Sequence, residues 1–268
     1  YNGSQVQESV GPISLASLAT YDHTFTSPLT LVEGSMPLTV TISNVNGAGA
    51  DANAGDDAKS ITMNPVVPAT GKLVIGEEGT GTWCGWCPRG AVGLRTMDAR
   101  YHGFFQGIAV HNGDIMTDSA YDAGLDVLIS GYPSGVVDRG ADIDPGSFEV
   151  DFLERIIIPP AAFMTVGATY NSSTRELDVS VSAAFQLDVT GNYKVACAIV
   201  EDSVTGTTSD YDQSNSYAGG GAGVMGGFEL LPHPVPASMM QYDHVARAIS
   251  PSFGGLDNAY PDSISGSP

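Results

Sequence analysis

The pattern of apolar and polar residues divides the chain into three parts. The central part has strand and helix patterns, and the two flanking parts have strand patterns alone. In the central part, short apolar runs predict strands at residues 72–75, 105–110 and 134–137. Helix-like stretches alternate with these runs, at residues 88–101, 118–130 and 147–158. Alternation of this kind predicts an α/β sheet.

The flanking parts consist of Thr-, Ser- and Val-rich runs broken by Gly, Asn and Asp, which is typical of β-structure. The strand candidates are residues 13–18, 30–32, 38–43, 163–170, 176–185 and 193–200. We therefore predict three domains: a β-sandwich module at 1–70, an α/β domain at 71–160 and a β-sandwich at 161–268. Residues 250–268 have little strand character, which leaves a truncated sandwich as an open alternative.

Two cysteines separated by two residues, Cys84 and Cys87, lie between the first central strand and the first helix. Thiols at this spacing close a small disulfide ring and can exchange it with another molecule. Cys84 is expected at a strand-to-helix turn, where a helix N-terminus and the nearby Arg89 stabilise a thiolate. We predict that Cys84 attacks a partner disulfide and that Cys87 resolves the mixed disulfide.

This stretch resembles the active site of the thioredoxin superfamily. Glu78 stands before Cys84 at the end of the predicted strand, where thioredoxins carry a buried acidic residue that accepts a proton. The resemblance implies that role for Glu78, with Glu77 pointing to the other face; two solvated glutamates are the alternative. Pro133 matches the superfamily's cis-proline, which holds the docking edge, with an ordinary trans turn proline as the alternative.

Four motifs narrow the resemblance to the twenty-eight-kilodalton outer-membrane-protein family: EEGTGTWCGWCPRG (77–90), GIAVHNGD (107–114), GYPSGVVDR (131–139) and YDHVARA (242–248). The resemblance covers about residues 72–250. It implies a bacterial surface or secreted protein in which a thioredoxin-like domain precedes a C-terminal, jelly-roll-like β-sandwich. The first 68 residues resemble an immunoglobulin-like β-sandwich module. Gly-Trp replaces the Gly-Pro of thioredoxins between the cysteines, so no redox direction is implied.

The charge balance narrows the choice of partners. The formal net charge is −20, from 30 acidic and ten basic residues, so nucleic acid and anionic membrane surfaces are poor partners. No window reaches the roughly 18 apolar residues of a membrane span. The chain is either cytosolic or a mature exported form whose signal was removed, and few lysines with many Thr, Ser, Gly and Asn residues favour the second. The resemblance implies that the exporting cell is bacterial. The third cysteine, Cys197, lies in an apolar run and is predicted to be a buried small hydrophobe.

A loop of alternating oxygen side chains is a candidate calcium site, with a solvated turn as the alternative. Its residues are Asp51, Asn53, Asp56 and Asp57. A second acidic loop with the same ambiguity holds Asp202, Asp210 and Asp212. Zinc is not expected, because one Cys-x-x-Cys pair and five scattered histidines supply no second ligand pair. No cofactor is required for thiol chemistry.

Two functions stay open at this point. In the first, a secreted or surface thioredoxin-fold protein exchanges its disulfide with protein thiols, and His111 with Asp114 either tunes the sulfurs or belongs to a plain loop. In the second, the protein is a structural, adhesive or filament-forming surface protein, and the Cys84–Cys87 disulfide is a staple. Its partners are then other surface proteins or further copies of itself. The flanking β-modules favour the second function, because a dedicated oxidoreductase needs neither.

Overall fold

The computed structural model describes residues 5–16, 19–47, 49, 53 and 55–266 of the chain. The chain divides into two compact units, Tyr1–Val67 and Pro68–Pro268. The division lies within the Pro- and Val-containing stretch at residues 64–71. Each unit has its own sheet structure.

The described residues of the first unit form one two-stranded antiparallel sheet, β1 (Met36–Thr41) with β2 (Ala58–Met63). Strand β1 overlaps the strand predicted at 38–43, whereas residues 13–16 and 30–32 are not strand. Apolar side chains in those two segments, Ile13 and Leu31 among them, are exposed. The expected immunoglobulin-like sandwich therefore differs from what the described residues form, because a sandwich buries its apolar side chains between two sheets.

A five-stranded mixed sheet forms the centre of the second unit. Its strands are β3 (Val74–Thr80), β4 (Phe105–His111), β5 (Ser134–Val137), β9 (Cys197–Glu201) and β10 (Val245–Ser250). The order across the sheet is β5-β3-β4-β10-β9. Strands β3, β4 and β10 run parallel, and the two edge strands run antiparallel to their neighbours. The predicted α/β sheet is confirmed, and all three central strands belong to it.

Three helices lie close to the predicted positions: α1 (Pro88–Tyr101), α2 (Ser119–Leu125) and α3 (Phe148–Arg155). Pro88 occupies the first turn of α1, where its missing amide donor costs nothing. Asp118 caps α2 by accepting a hydrogen bond from the Tyr121 amide at 2.9 Å. Helix α2 is shorter than the helix predicted at 118–130, and a turn follows it.

The helices cover the two faces of the sheet unequally. Helices α1 and α3 pack on one face around the rings of Phe105, Phe148 and Phe152. Helix α2 packs on the other face, where Tyr121 joins a buried apolar cluster with strand residues of β4, β5 and β10. Because successive strand residues alternate between faces, Glu78 lies on the α1 side and Glu77 on the α2 side.

The segment after residue 160 differs from the predicted separate sandwich. Strands β6 (Ala162–Asn171) and β7 (Glu176–Phe185) form the predicted antiparallel pair, and a short β8 (Val189–Thr190) pairs with β11 (Ser263–Ile264). However, β9 and β10 join the five-stranded sheet, so this sheet crosses the expected boundary at residue 160. The reason is burial: Val245 and Ala246 of β10 are fully enclosed beside β4.

Gly135 on β5 offers a test of this packing, with Gly131 as its matched control. A Cβ at Gly135 would lie 2.6 Å from the Phe148 ring and 2.8 Å from the Glu77 carbonyl oxygen. We expect Gly135→Ala to lower the free energy of unfolding by about 1–3 kcal/mol, as overpacking does. Gly131→Ala, which meets no atom within 4 Å, should change it by less than about 0.5 kcal/mol. Urea denaturation measures both, and equal effects would contradict the packing of β5 against α3.

Candidate functional site

The two cysteines lie in the turn between β3 and α1, as the sequence predicts. Their sulfur atoms are 2.12 Å apart, which is disulfide distance, and their Cα atoms are 5.4 Å apart. Cys87 directly precedes α1, and its carbonyl accepts hydrogen bonds from the amides of Gly90 and Ala91. The partial positive charge of the helix N-terminus therefore lies next to the disulfide. Both cysteines are buried, with relative exposures of 4% for Cys84 and 2% for Cys87.

Glu78 is buried behind the disulfide on the α1 side of the sheet. Its carboxyl packs so closely on α1 that a Cβ at Gly90 would lie 1.6 Å from Oε1. Burial raises the pKa of Glu78 to about 8; a hydrogen bond from Thr80 and the charge of Arg89 oppose the rise, and Asp144 adds to it. Oε1 has no hydrogen-bond partner among the described residues. Glu78 therefore holds a proton at neutral pH, and the alternative of a solvated glutamate is wrong.

Glu77 is also buried, but on the opposite face and with strong partners. The Tyr121 hydroxyl donates a hydrogen bond to its Oε1 at 2.7 Å, and Arg139 Nε lies 3.1 Å from Oε2. Arg139 in turn stacks over the Phe253 ring, 3.6 Å from its centroid. The prediction that Glu77 points to the other face is confirmed. Sequence reasoning missed its ion pair, because the two partners are distant in sequence.

A cavity of about 70 Å³ lies on the α1 side of the sheet, and Glu78, Cys87 and His111 all line it. His111 ends β4 and is buried, so it is not a plain loop histidine. Its Nδ1 lies 2.7 Å from Asp114 Oδ2. Burial raises the pKa of Asp114, but the hydrogen bond and charge of His111, with the amides of Thr82 and Met116, outweigh it and lower this pKa. A protonated carboxyl, a disulfide sulfur and an imidazole therefore line the same cavity.

The loop before β5 contacts the disulfide turn through Tyr132. The Tyr132–Pro133 peptide bond is cis, which confirms the predicted isomer. The Tyr132 ring makes an edge contact with the Trp83 ring, with 5.5 Å between centroids. Trp83 Nε1 donates to the Asn112 carbonyl at 2.6 Å. The turn after β3 and the loop before β5 therefore meet through aromatic side chains at one end of these two strands.

Arg89 contributes less positive charge to the disulfide than the sequence suggested. Its Nη2 lies 2.7 Å from Asp144 Oδ2, so an ion pair offsets the guanidinium charge. Its Nε is buried without a hydrogen-bond partner among the described residues. The N-terminal end of α1 is the more direct source of positive potential at Cys87.

A segment far along the chain, residues 213–217, covers the disulfide turn; we call it the covering segment. The Ser214 amide donates to the Thr82 carbonyl at 2.7 Å, and the Ser216 amide donates to the Gly85 carbonyl at 2.8 Å. Gln213 Nε2 donates to the Cys84 carbonyl at 3.0 Å. Sequence reasoning missed this contact, because it joins residues 129 positions apart and the run Gln-Ser-Asn-Ser has no periodicity.

The predicted calcium site lies partly outside the described residues. Asp51 lies outside the described residues, and Asn53 Nδ2 donates to Asp56 Oδ2 at 2.9 Å. In the part of the chain that the structure describes, no three His, Cys, Asp or Glu side chains are grouped closely enough to hold a metal ion. In the second acidic loop, Asp202 and Asp212 accept backbone amides instead. Calcium binding at residues 51–57 stays a prediction.

Cys197 lies on β9, at the opposite edge of the sheet from β5, and is half-buried. None of the helices among the described residues has the length and apolar character of a membrane span.

Comparison with known proteins gives limited likenesses. No protein-family model matches the chain, and no curated protein matches it. Among solved structures, HBP35 of Porphyromonas gingivalis is 16% identical with a TM-score of 0.48, over 72% of this chain and 62% of that one. Protein AGR_C_4864 from Agrobacterium tumefaciens is 13% identical with a TM-score of 0.40, over 69% and 73%. The chain thus spans less than two thirds of the HBP35 chain.

The buried carboxyl of Glu78 predicts a specific pH dependence of stability. Its pKa is higher in the folded protein than in the unfolded chain, so its contribution is present below about pH 4.5 and is lost as the pH rises towards 8. Over that range, wild type should lose stability relative to Glu78→Gln by about 1.4 kcal/mol per pH unit. Urea denaturation from pH 5 to pH 8 measures the difference.

Glu149 supplies a control of opposite sign. A hydrogen bond from Tyr101, aided by Arg100, lowers the pKa of Glu149, so its contribution is present above pH 4.5 and is lost on acidification. Glu149→Gln should therefore be less stable than the wild type at neutral pH, and this difference in the free energy of unfolding should shrink on acidification. If the difference in free energy of unfolding between wild type and Glu78→Gln did not change with pH, this result would contradict the protonated state of Glu78.

Proposed function

We propose that the second unit contains a thioredoxin-like domain that exchanges its Cys84–Cys87 disulfide with protein thiols. The observation that supports this most directly is the buried, proton-holding carboxyl of Glu78 behind a disulfide at the N-terminus of α1. The order of elements agrees with it: β3, α1 and a parallel β4 are followed by a cis-proline and an antiparallel β5. The sequence motifs resemble the same superfamily.

The proposed exchange begins when a partner thiolate attacks Cys84 Sγ. A mixed disulfide forms, the Cys84–Cys87 bond breaks, and the electron pair leaves on Cys87 Sγ. Glu78, protonated below about pH 8, donates the proton that this sulfur takes up. A second partner thiolate then releases Cys84, so the partner ends as a disulfide and the protein as a dithiol. In reverse, the Glu78 carboxylate accepts the Cys87 proton while a partner disulfide is reduced.

A second candidate function is a non-enzymatic one, in which the disulfide is a staple in a structural or adhesive surface protein. Burial of both cysteines under the covering segment favours this function. Exchange depends on access to the attacked sulfur, and an enclosed disulfide is slow to react. The reduction potential separates the two functions: a structural disulfide lies below about −300 mV, whereas an exchanging one lies higher.

We place the protein outside a bacterial cell or on its outer surface. Three features support this proposal: the resemblance of the motifs, the lysine-poor composition, and a disulfide, which persists in oxidising compartments. Fractionation of the producing cells is expected to recover the protein from the medium or the cell surface. Recovery from the cytosol with free thiols would contradict the location and the oxidised state together.

The cysteine variants test the proposed exchange. With insulin as the substrate disulfide, Cys84→Ser should reduce the rate to that of the uncatalysed reaction, because the attacking sulfur is lost. Cys87→Ser should accumulate mixed disulfides with the substrate, because no second thiol resolves them. Non-reducing gels and mass spectrometry detect these adducts.

Cys197→Ser is the matched control for the cysteine variants and should behave as the wild type, since Cys197 lies on the far edge strand. A wild-type protein that reduces insulin no faster than free dithiol would contradict catalysis. In that case a potential below about −300 mV would support the staple.

A further inference from the structure

The covering segment contacts the disulfide turn through backbone hydrogen bonds and through the Gln213 side chain. The amides of Ser214 and Ser216, two residues apart, donate to the carbonyls of Thr82 and Gly85 at 2.7 and 2.8 Å. Both donors are main-chain amides of the segment, and both acceptors are main-chain carbonyls of the turn. Such bonds do not depend on side chains, so another extended polypeptide can form them equally well.

Side chains of the covering segment close over the dipeptide between the two sulfurs. Ser216 Oγ lies 2.3 Å from the position that a Cβ at Gly85 would take, so a side chain at residue 85 would displace the Ser216 hydroxyl. The Tyr217 ring makes an edge contact with the Trp86 ring, with 5.2 Å between centroids. Both cysteines of the turn are buried, whereas Trp86 stays half exposed. The covering segment therefore lies against the turn that carries both buried sulfurs.

The covering segment is fastened mainly to a different part of the unit. Asn215 is buried, and its Nδ2 donates to the Phe228 carbonyl at 2.8 Å. Gln213 exchanges two backbone hydrogen bonds with Val235. At the disulfide turn, one side chain of the segment adds to the backbone bonds: Gln213 Nε2 reaches the carbonyls of Cys84 and Gly81 at 3.0 and 3.3 Å. The bonds from Asn215 to Phe228 and from Gln213 to Val235 are therefore separate from the hydrogen bonds that the segment makes to the turn.

We propose that the backbone edge at residues 82–85 is a docking surface for an extended polypeptide bearing a thiol, and that the covering segment occupies it as a displaceable cover. Displacement uncovers the disulfide, and the main-chain amides of the partner replace those of Ser214 and Ser216. The exchange part of this scheme rests on the proposed function. The covering part does not, because any reductant needs the same access.

The first experiment couples two measurements in Gln213→Ala, with Gln186→Ala as the matched control. We expect the loss of the two Gln213 hydrogen bonds to speed reduction of the disulfide by a phosphine reductant roughly tenfold. Hydrogen exchange at the Ser214 and Ser216 amides should speed up by the same factor, because one opening equilibrium governs both. Gln186 bonds to a nearby carbonyl in an exposed position, so its variant should match the wild type in both measurements.

An unchanged reduction rate in Gln213→Ala, with or without faster amide exchange, would overturn the cover. If Gln213→Ala does not fold, the wild type decides the question. Its Ser214 and Ser216 amides should exchange with less protection than those of β3 and β4, because the segment opens without global unfolding. Equal protection would overturn the proposal. Inert behaviour towards insulin alone would instead count against the proposed exchange and leave the cover intact.

The second experiment tests the class of partner. A cysteine-containing peptide in excess reduces the protein disulfide while two peptide thiols become one peptide disulfide. A peptide with N-methylated amides carries the same thiol but cannot donate main-chain hydrogen bonds. We expect the unmodified peptide to reduce the disulfide of Gln213→Ala roughly tenfold faster than its N-methylated form. Equal rates would show that the edge does not recognise a polypeptide backbone.

Discussion

The packing of Glu78 against Gly90 ties the sheet to the disulfide. Gly90 follows Cys87 by three residues on α1, and any side chain there would overlap the carboxyl. The close approach of helix and strand removes water from the carboxyl without giving both oxygens a partner. An ionised carboxylate is costly in such surroundings, so the proton stays. The position of the helix, the state of Glu78 and the location of Cys87 therefore depend on one contact.

The neighbouring residues Glu77 and Glu78 on β3 lie on opposite faces of the sheet and have different surroundings. Glu77 lies under α2, where a tyrosine hydroxyl and the guanidinium of Arg139 supply hydrogen-bond donors. Glu77 is buried whereas the Arg139 side chain is 37% exposed, and their ion pair connects β3 to the loop after β5. Glu78 lies under α1, and one of its carboxyl oxygens has no hydrogen-bond partner in the described part of the chain. Glu78 and Cys87 line the same cavity, which supports the proposed transfer of the Glu78 proton to this sulfur.

Access to the disulfide decides which of the two candidate functions the site performs. The electrostatic features suit exchange, because a helix N-terminus and a proton-holding carboxyl flank the sulfurs. Burial under the covering segment suits a staple. The proposed displaceable cover would reconcile the two sets of features, since the disulfide would be shielded while the cover is closed and accessible once a partner polypeptide displaces it.

The sequence by itself determined the local part of this protein. Strand and helix periodicity predicted the β3–α1–β4 order, the cysteine spacing predicted a disulfide at the turn, and alternation predicted that Glu77 and Glu78 face opposite ways. These features depend on neighbours within a few residues. Tertiary structure alone decided that β9 and β10 complete the sheet, that Arg139 pairs with Glu77, and that residues 213–217 cover the disulfide. Contacts between distant segments follow from shape and burial, which leave no periodic pattern along the chain.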